Sequence, residues 1–85
     1  MTQTDEYARE IEKHIPEARA TVATEDGVHF TATVVSDAFE GKNLLTRHRM
    51  VNAALKDRIA SGEIHALAIG RVCTSAEWQE KGGES

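Results

Sequence analysis

Two sets of side chains in this 85-residue sequence could carry chemistry: histidines at 14, 29, 48 and 65, and the cations Lys42, Arg47, Arg49 and Lys56, with Asn52 among them. Imidazole binds metals and moves protons, whereas lysine and arginine neutralise phosphates and asparagine can read an adenine edge. Ser36, Asp37 and the histidines supply the letters of a hydrolase triad, but no nucleophile elbow or paired-carboxylate motif places them. A core this small leaves little room for an enclosed pocket, so no enzyme is expected. Cys73 is the one cysteine, which excludes an internal disulfide, and it reads as a small packed hydrophobe. His14 suits the negative end of a first helix, and His48 reads as a buried or half-buried imidazole donating to a backbone carbonyl. His29 and His65 remain as a candidate metal pair. A structural zinc wants four ligands, so any metal on these two must be completed by a partner or a small molecule.

Where those residues stand depends on the elements around them. Tyr7, Ala8, Ile11 and Ile15 recur at helical spacing and Pro16 forces an exit, giving a helix over 5–14. Alternating apolar residues predict strands over 19–24 and 28–34, joined by a tight turn at Asp26-Gly27. A long helix over 44–61 follows, capped by Asn43 and closed by Gly62. At 100° per residue Leu44, His48, Ala54, Leu55 and Ile59 fall within about 80° of Val51, forming its core face. Lys42, Arg49 and Lys56, spaced by seven, project from nearly one line opposite, while Arg47 lies on the core side, where its stem packs along the helix flank. A third strand is expected over 64–72. Thr74 and Glu77 then form a capping box for a short helix whose Trp78 covers one edge of the core.

The order is α-β-β-α-β-α, an α+β fold with helices packed on a three-stranded mixed sheet. The first two strands should be antiparallel, and the second and third parallel through a right-handed crossover. The single domain spans 1–80, with 81–85 a disordered tail. Parallel strands begin at one edge, so His29 and His65, each second in its strand, are expected at the same rim about one strand spacing apart. If Val28, Phe30, Ala32 and Val34 face the helices, and small Ala66 and Ala68 admit a helix closely, both imidazoles point away from the helices.

A net charge of -4 argues against a protein that coats nucleic acid through its overall field, although a local basic stripe can still bind phosphates. The polar start and the lack of a long apolar run argue against a signal peptide or membrane span, leaving the cytoplasm or an equivalent reducing compartment as the expected location.

Val34-Val35-Ser36-Asp37-Ala38-Phe39-Glu40-Gly41-Lys42, then Leu45, Arg47-His48-Arg49 with Val51, His65-Ala66-Leu67 and Glu77-Trp78 together resemble the BolA family, over roughly half the chain and in family order. The resemblance implies a fold like the second type of KH domain, although Gly41 stands alone where KH domains carry a GxxG loop. It also implies an adaptor role in iron-sulfur cluster assembly or trafficking, iron homeostasis and stress response. BolA-like proteins pair with monothiol glutaredoxins, and a [2Fe-2S] cluster is shared with the glutaredoxin and glutathione; the isolated protein, a monomer or weak homodimer, holds none. His65 matches the family histidine before Ala-Leu. The second family ligand lies in the loop between the first two strands, which here is Glu25-Asp26-Gly27-Val28 without Cys or His, leaving His29. Some family members are DNA-binding transcription regulators, which makes Lys42, Arg47, Arg49, Asn52 and Lys56 an alternative nucleic-acid surface. Trp78 lies thirteen residues after His65, one more than the family spacing; either Gly70 absorbs the extra residue as a bulge, or the register shifts and the facing argument for His65 fails.

Overall fold

The computed structural model describes residues 3–80. Its elements are α1 (Gln3–His14), β1 (Arg19–Thr24), β2 (His29–Val35), a 3-10 turn (Asp37–Phe39), α2 (Leu44–Ala54), α3 (Lys56–Ala60), β3 (Ala66–Cys73) and α4 (Ser75–Glu80). The tail expected over 81–85 lies outside the described residues. The sheet order is β1-β2-β3, with β1 antiparallel and β3 parallel to β2, as the hairpin and crossover predict.

Local chemistry sets most boundaries. Asn43 accepts from the Thr46 N–H at 2.8 Å and so caps α2. Thr74 and Glu77 exchange hydrogen bonds of 2.9 and 3.2 Å, the reciprocal capping box that starts α4. Gly27 turns the hairpin at φ +77°, a conformation that costs a residue without a Cβ nothing.

One face of the sheet carries the core. Phe30, Ala32 and Val34 on β2 and Val22 on β1 are buried against Tyr7, Ile11 and Ile15, with Val51, Leu55 and Phe39 beside them. Tyr7 meets Phe30 edge to face at 5.3 Å between centroids, worth about 1 kcal/mol beyond the area buried. Thr21, Ala23 and Thr31 face solvent on the other side.

The long helix differs from expectation. It breaks at Leu55, whose N–H bonds back to Asn52 at 3.2 Å while its side chain is fully buried. The 100° projection assumed an unbroken helix, and the break carries Ile59 off the core face to 38 % exposure. Leu44, in the first turn, meets no core and is 61 % exposed. His48 is half-buried, but among the described residues no carbonyl accepts its proton.

Gly70 is the bulge. Ala32 pairs with Ile69 and Thr33 with Arg71, so Gly70 is the residue without a place in the ladder. Arg71 consequently lies opposite Thr33 on the solvent face, where its guanidinium stacks on Trp78 at 4.5 Å. Trp78 therefore covers the outer face beside Arg19, Thr21, Thr33 and Val35 and does not seal an edge of the core. Without Gly70, Ile69 and Arg71 would alternate as a regular strand with the same partners. Deleting Gly70 should therefore leave both strand pairings intact and move stability by no more than about 1 kcal/mol, as amide contacts and a thermal melt would record.

Candidate functional site

The two candidate histidines stand at the start of neighbouring strands, at one end of the sheet. His29 opens β2 and is the register partner of Ala66, the first residue of β3, so His65 is one step further out and the two backbones lie within about 6 Å by strand spacing and rise. The reason expected for their shared direction is overturned, because Leu67 and Ile69 pack toward the core while Ala66 and Ala68 are exposed. His65 lies outside the strand, at a bend, where alternation does not apply. The bend turns Ile64 into the core and leaves His65 exposed.

That bend is held from beneath. Ile64 N–H donates to the Arg58 carbonyl at 3.2 Å, and Arg58 also reaches Glu63 at 3.0 Å and Glu10 at 2.9 Å. The buried Tyr7 hydroxyl donates to the same Glu63 carboxylate at 3.2 Å. The Arg58 guanidinium holds the Glu63 carboxyl below its ordinary pKa. Burial pushes the Tyr7 phenol above its own, with the Glu63 hydrogen bond adding to the rise. His65 itself makes no hydrogen bond among the described residues, so both ring nitrogens are open.

His29 is arranged differently. Asp26 accepts backbone N–H bonds from Val28 and His29, each 2.9 Å, and its second oxygen lies 2.7 Å from His29 Nδ1. These bonds, led by the His29 N–H, pull the Asp26 carboxyl far below the usual carboxylate range. An ionised carboxylate only accepts, so Nδ1 donates to Asp26 and, in the neutral ring, Nε2 is the nitrogen with the lone pair. Metal-ligating histidines are oriented in this way by a carboxylate on the other ring nitrogen. The ring borders a shallow hollow of about 270 Å³ beside Thr24 and Thr31. Among the described residues no three His, Cys, Asp or Glu side chains gather to hold a metal ion, so the edge offers a pair of imidazoles and nothing more. Sequence reasoning missed Asp26 as an orienting residue. Its signal was Asp followed three residues later by His across a turn, a spacing that lets the carboxylate reach both backbone and ring.

The basic face loses one member. Arg47 is 12 % exposed, donates to the backbone carbonyls of Lys42 at 2.9 Å and Val72 at 3.0 Å, and forks onto Glu77 at 2.8 and 3.3 Å. Its guanidinium also lies 5.7 Å from the Phe39 ring centroid. It clamps α2 to β3 and α4 and is unavailable to a phosphate, which corrects its place in the nucleic-acid set; the stem packing expected of it holds. Lys42, Arg49, Asn52 and Lys56 are exposed, and the three cations have no ion-pair partner among the described residues. Cys73 is buried, and burial raises its thiol pKa, so it packs as expected and is no reactive thiolate. His14 Nδ1 lies 3.3 Å from the Glu10 carbonyl in the last turn of α1.

Comparison with known proteins agrees with this fold. A curated relative named DNA-binding transcriptional regulator BolA, from Vibrio cholerae, is 42% identical over 96% of this chain and 76% of its own. Protein BOLA2 of Arabidopsis thaliana is 49% identical over 69% of this chain, and the match spans 61% of that protein's length. The solved structure of a bolA protein homologue from Coxiella burnetii superposes with a TM-score of 0.79 at 39% identity, covering 93% of this chain and 99% of the other. The family model described as BolA-like protein matches residues 6–77, nearly the whole span of ordered elements that set His65, His29 and the Arg47 clamp, and the chain belongs to that family.

Proposed function

We propose that this chain is an adaptor in iron-sulfur cluster assembly or trafficking and iron homeostasis, binding a monothiol glutaredoxin through a shared [2Fe-2S] cluster. The observation that carries the reading is the pair of imidazoles at one sheet edge, His65 with both nitrogens open and His29 with Nε2 presented by Asp26. Two imidazoles fit a cluster whose other ligands are thiolates, since histidines replace two of four cysteines in some [2Fe-2S] centres. His65 and His29 would hold iron, and the glutaredoxin cysteine and glutathione would supply the thiolates. The cluster is cargo here, and the adaptor's task is to bind, orient and release it.

The test is anaerobic assembly of the cluster with this chain, a monothiol glutaredoxin and glutathione. The expected result is a coloured one-to-one complex whose visible dichroism differs from that of the glutaredoxin alone. A mixture whose spectrum is the sum of its parts, with no complex on size exclusion, would overturn the proposal. Asp26→Ala should keep the hairpin paired but shorten the cluster's lifetime, about tenfold, because His29 loses the carboxylate that fixes its ring.

A second reading rests on the name of the Vibrio cholerae relative, which is similar over nearly the whole of this chain. On it, Lys42, Arg49 and Lys56 contact phosphates and Asn52 a base edge. Three phosphate contacts give a plot of log affinity against log salt with a slope of about -3, and Arg49→Ala should flatten it by about one unit.

A further inference from the structure

The exposed face of α2 and α3 has the wrong chemistry for a surface meant only for water. Between Gly41 and Lys56 the sequence holds no acidic residue, although the chain as a whole carries a net charge of -4. Arg49 and Lys56 flank a hollow of about 480 Å³ whose other lining residues are Asn52, Ala53, Ile59 and Ala60. Ile59 is 38 % exposed there, and Leu45, one turn before Arg49 on the same side, is 58 % exposed. Asp57, the nearest carboxylate in sequence, does not line this hollow but an adjoining one with Glu10 and His14, which shares Ala53 and Lys56 with it.

From these observations we infer that the Arg49–Lys56 hollow docks an acidic polypeptide segment in helical form, one that places an apolar side chain over Ile59 and Ala53 and carboxylates on Arg49 and Lys56. Charge complementarity fixes the sign of the occupant, and the apolar floor fixes its kind. Phosphates need cations alone and gain nothing from an isoleucine, whereas an amphipathic helix reads a groove through anchors at i, i+3, i+4 and i+7. Arg49 on α2 and Lys56 on α3 line the hollow from either side of the break at Leu55, so a helix lying in it meets them with carboxylates and sets its apolar anchors between. The contact is small and belongs to the weak, transient class. It is lined by residues of α2 and α3, includes neither His29 nor His65, and goes beyond the cluster reading without depending on it.

The test is a titration of the isotope-labelled chain with a helical peptide carrying two glutamates seven residues apart and two leucines between them, followed by amide shifts. Saturable shifts confined to 45–60 are expected. The same peptide with alanine for its leucines should bind about tenfold more weakly or worse, as should Arg49→Glu and Ile59→Ser against the original peptide. Arg49 is exposed and unpaired, so Arg49→Glu keeps the test valid if Ile59→Ser folds poorly. Equal binding by the two peptides, shifts elsewhere, or no binding would overturn the inference. So would a mixed-sequence DNA duplex that shifts these amides when the peptide does not, which would give the face to nucleic acid.

Discussion

Replacing His65 with alanine should abolish the bridged cluster in the glutaredoxin complex while moving the melting temperature of the isolated chain by no more than a few degrees. The two effects separate because of where the residue stands. His65 lies outside the β3 ladder, is exposed and makes no hydrogen bond among the described residues, so the fold loses almost nothing with it. Its neighbours keep the bend, since Ile64 remains buried and bonded to the Arg58 carbonyl and Ala66 remains paired with His29. On the proposed reading iron, by contrast, loses a covalent ligand. His29→Ala should shorten the cluster's lifetime less steeply, because only its place at the end of the sheet, and no family motif, nominates it as a ligand. Visible circular dichroism of the complex and a thermal melt of the free chain read the two effects. A folded His65→Ala chain with an unchanged cluster lifetime would remove His65 from the ligand set.

Arg47→Ala should be the most damaging surface substitution, costing about 2 to 4 kcal/mol and lowering the melting temperature by about 10 °C or more. It removes two bonds to backbone carbonyls, a forked ion pair and a contact with the Phe39 ring, each worth roughly 0.5 to 1.5 kcal/mol when made by a partly buried cation. The loss should show equally with and without DNA, because Arg47 reaches no phosphate. The same clamp sets an acid limit. Arg47 first, and the Thr74 N–H second, hold the Glu77 carboxyl down to about 2 from an ordinary 4.5. A carboxyl depressed on folding contributes its stability above the unfolded pKa and loses it as pH falls through the folded one. The clamp is therefore intact above about pH 4.5 and spent near pH 2. Glu77→Gln should make the melting temperature less pH-dependent across that window, and a slope unchanged from wild type would show that other carboxylates set it.

What the sequence yields directly is whatever neighbouring residues decide among themselves. The Thr74–Glu77 box, the Asn43 cap and the Asp26-Gly27 turn are bonds between residues two or three apart, and all stand as read. The Gly70 bulge was also legible, because one surplus residue in an otherwise regular strand has few places to go. The misread positions depend on distant partners. Leu44 and Ile59 belong to an apolar stripe that assumed an unbroken helix, and the break at Leu55 follows from burial of that side chain. Trp78 faces solvent-side Arg71 because of a register shift eight residues earlier in the chain. The fate of Arg47 was set by Glu77, thirty residues away. The sequence also placed His29 and His65 at the same end of the sheet, although part of the argument for their direction fails. Alternation along β2 does turn His29 away from the core, whereas His65 owes its exposure to a bend held by Arg58 and Glu63.

The most direct measurement of the central claim is pulsed electron paramagnetic resonance on the reduced cluster complex, with nitrogen-15 histidine incorporated only into this chain. The account predicts hyperfine coupling from directly coordinated nitrogen-15, lost in His65→Ala and altered in His29→Ala. A reduced cluster with no nitrogen-15 coupling from this chain would mean that its iron is held by thiolates alone, and the half-site described here would not be one.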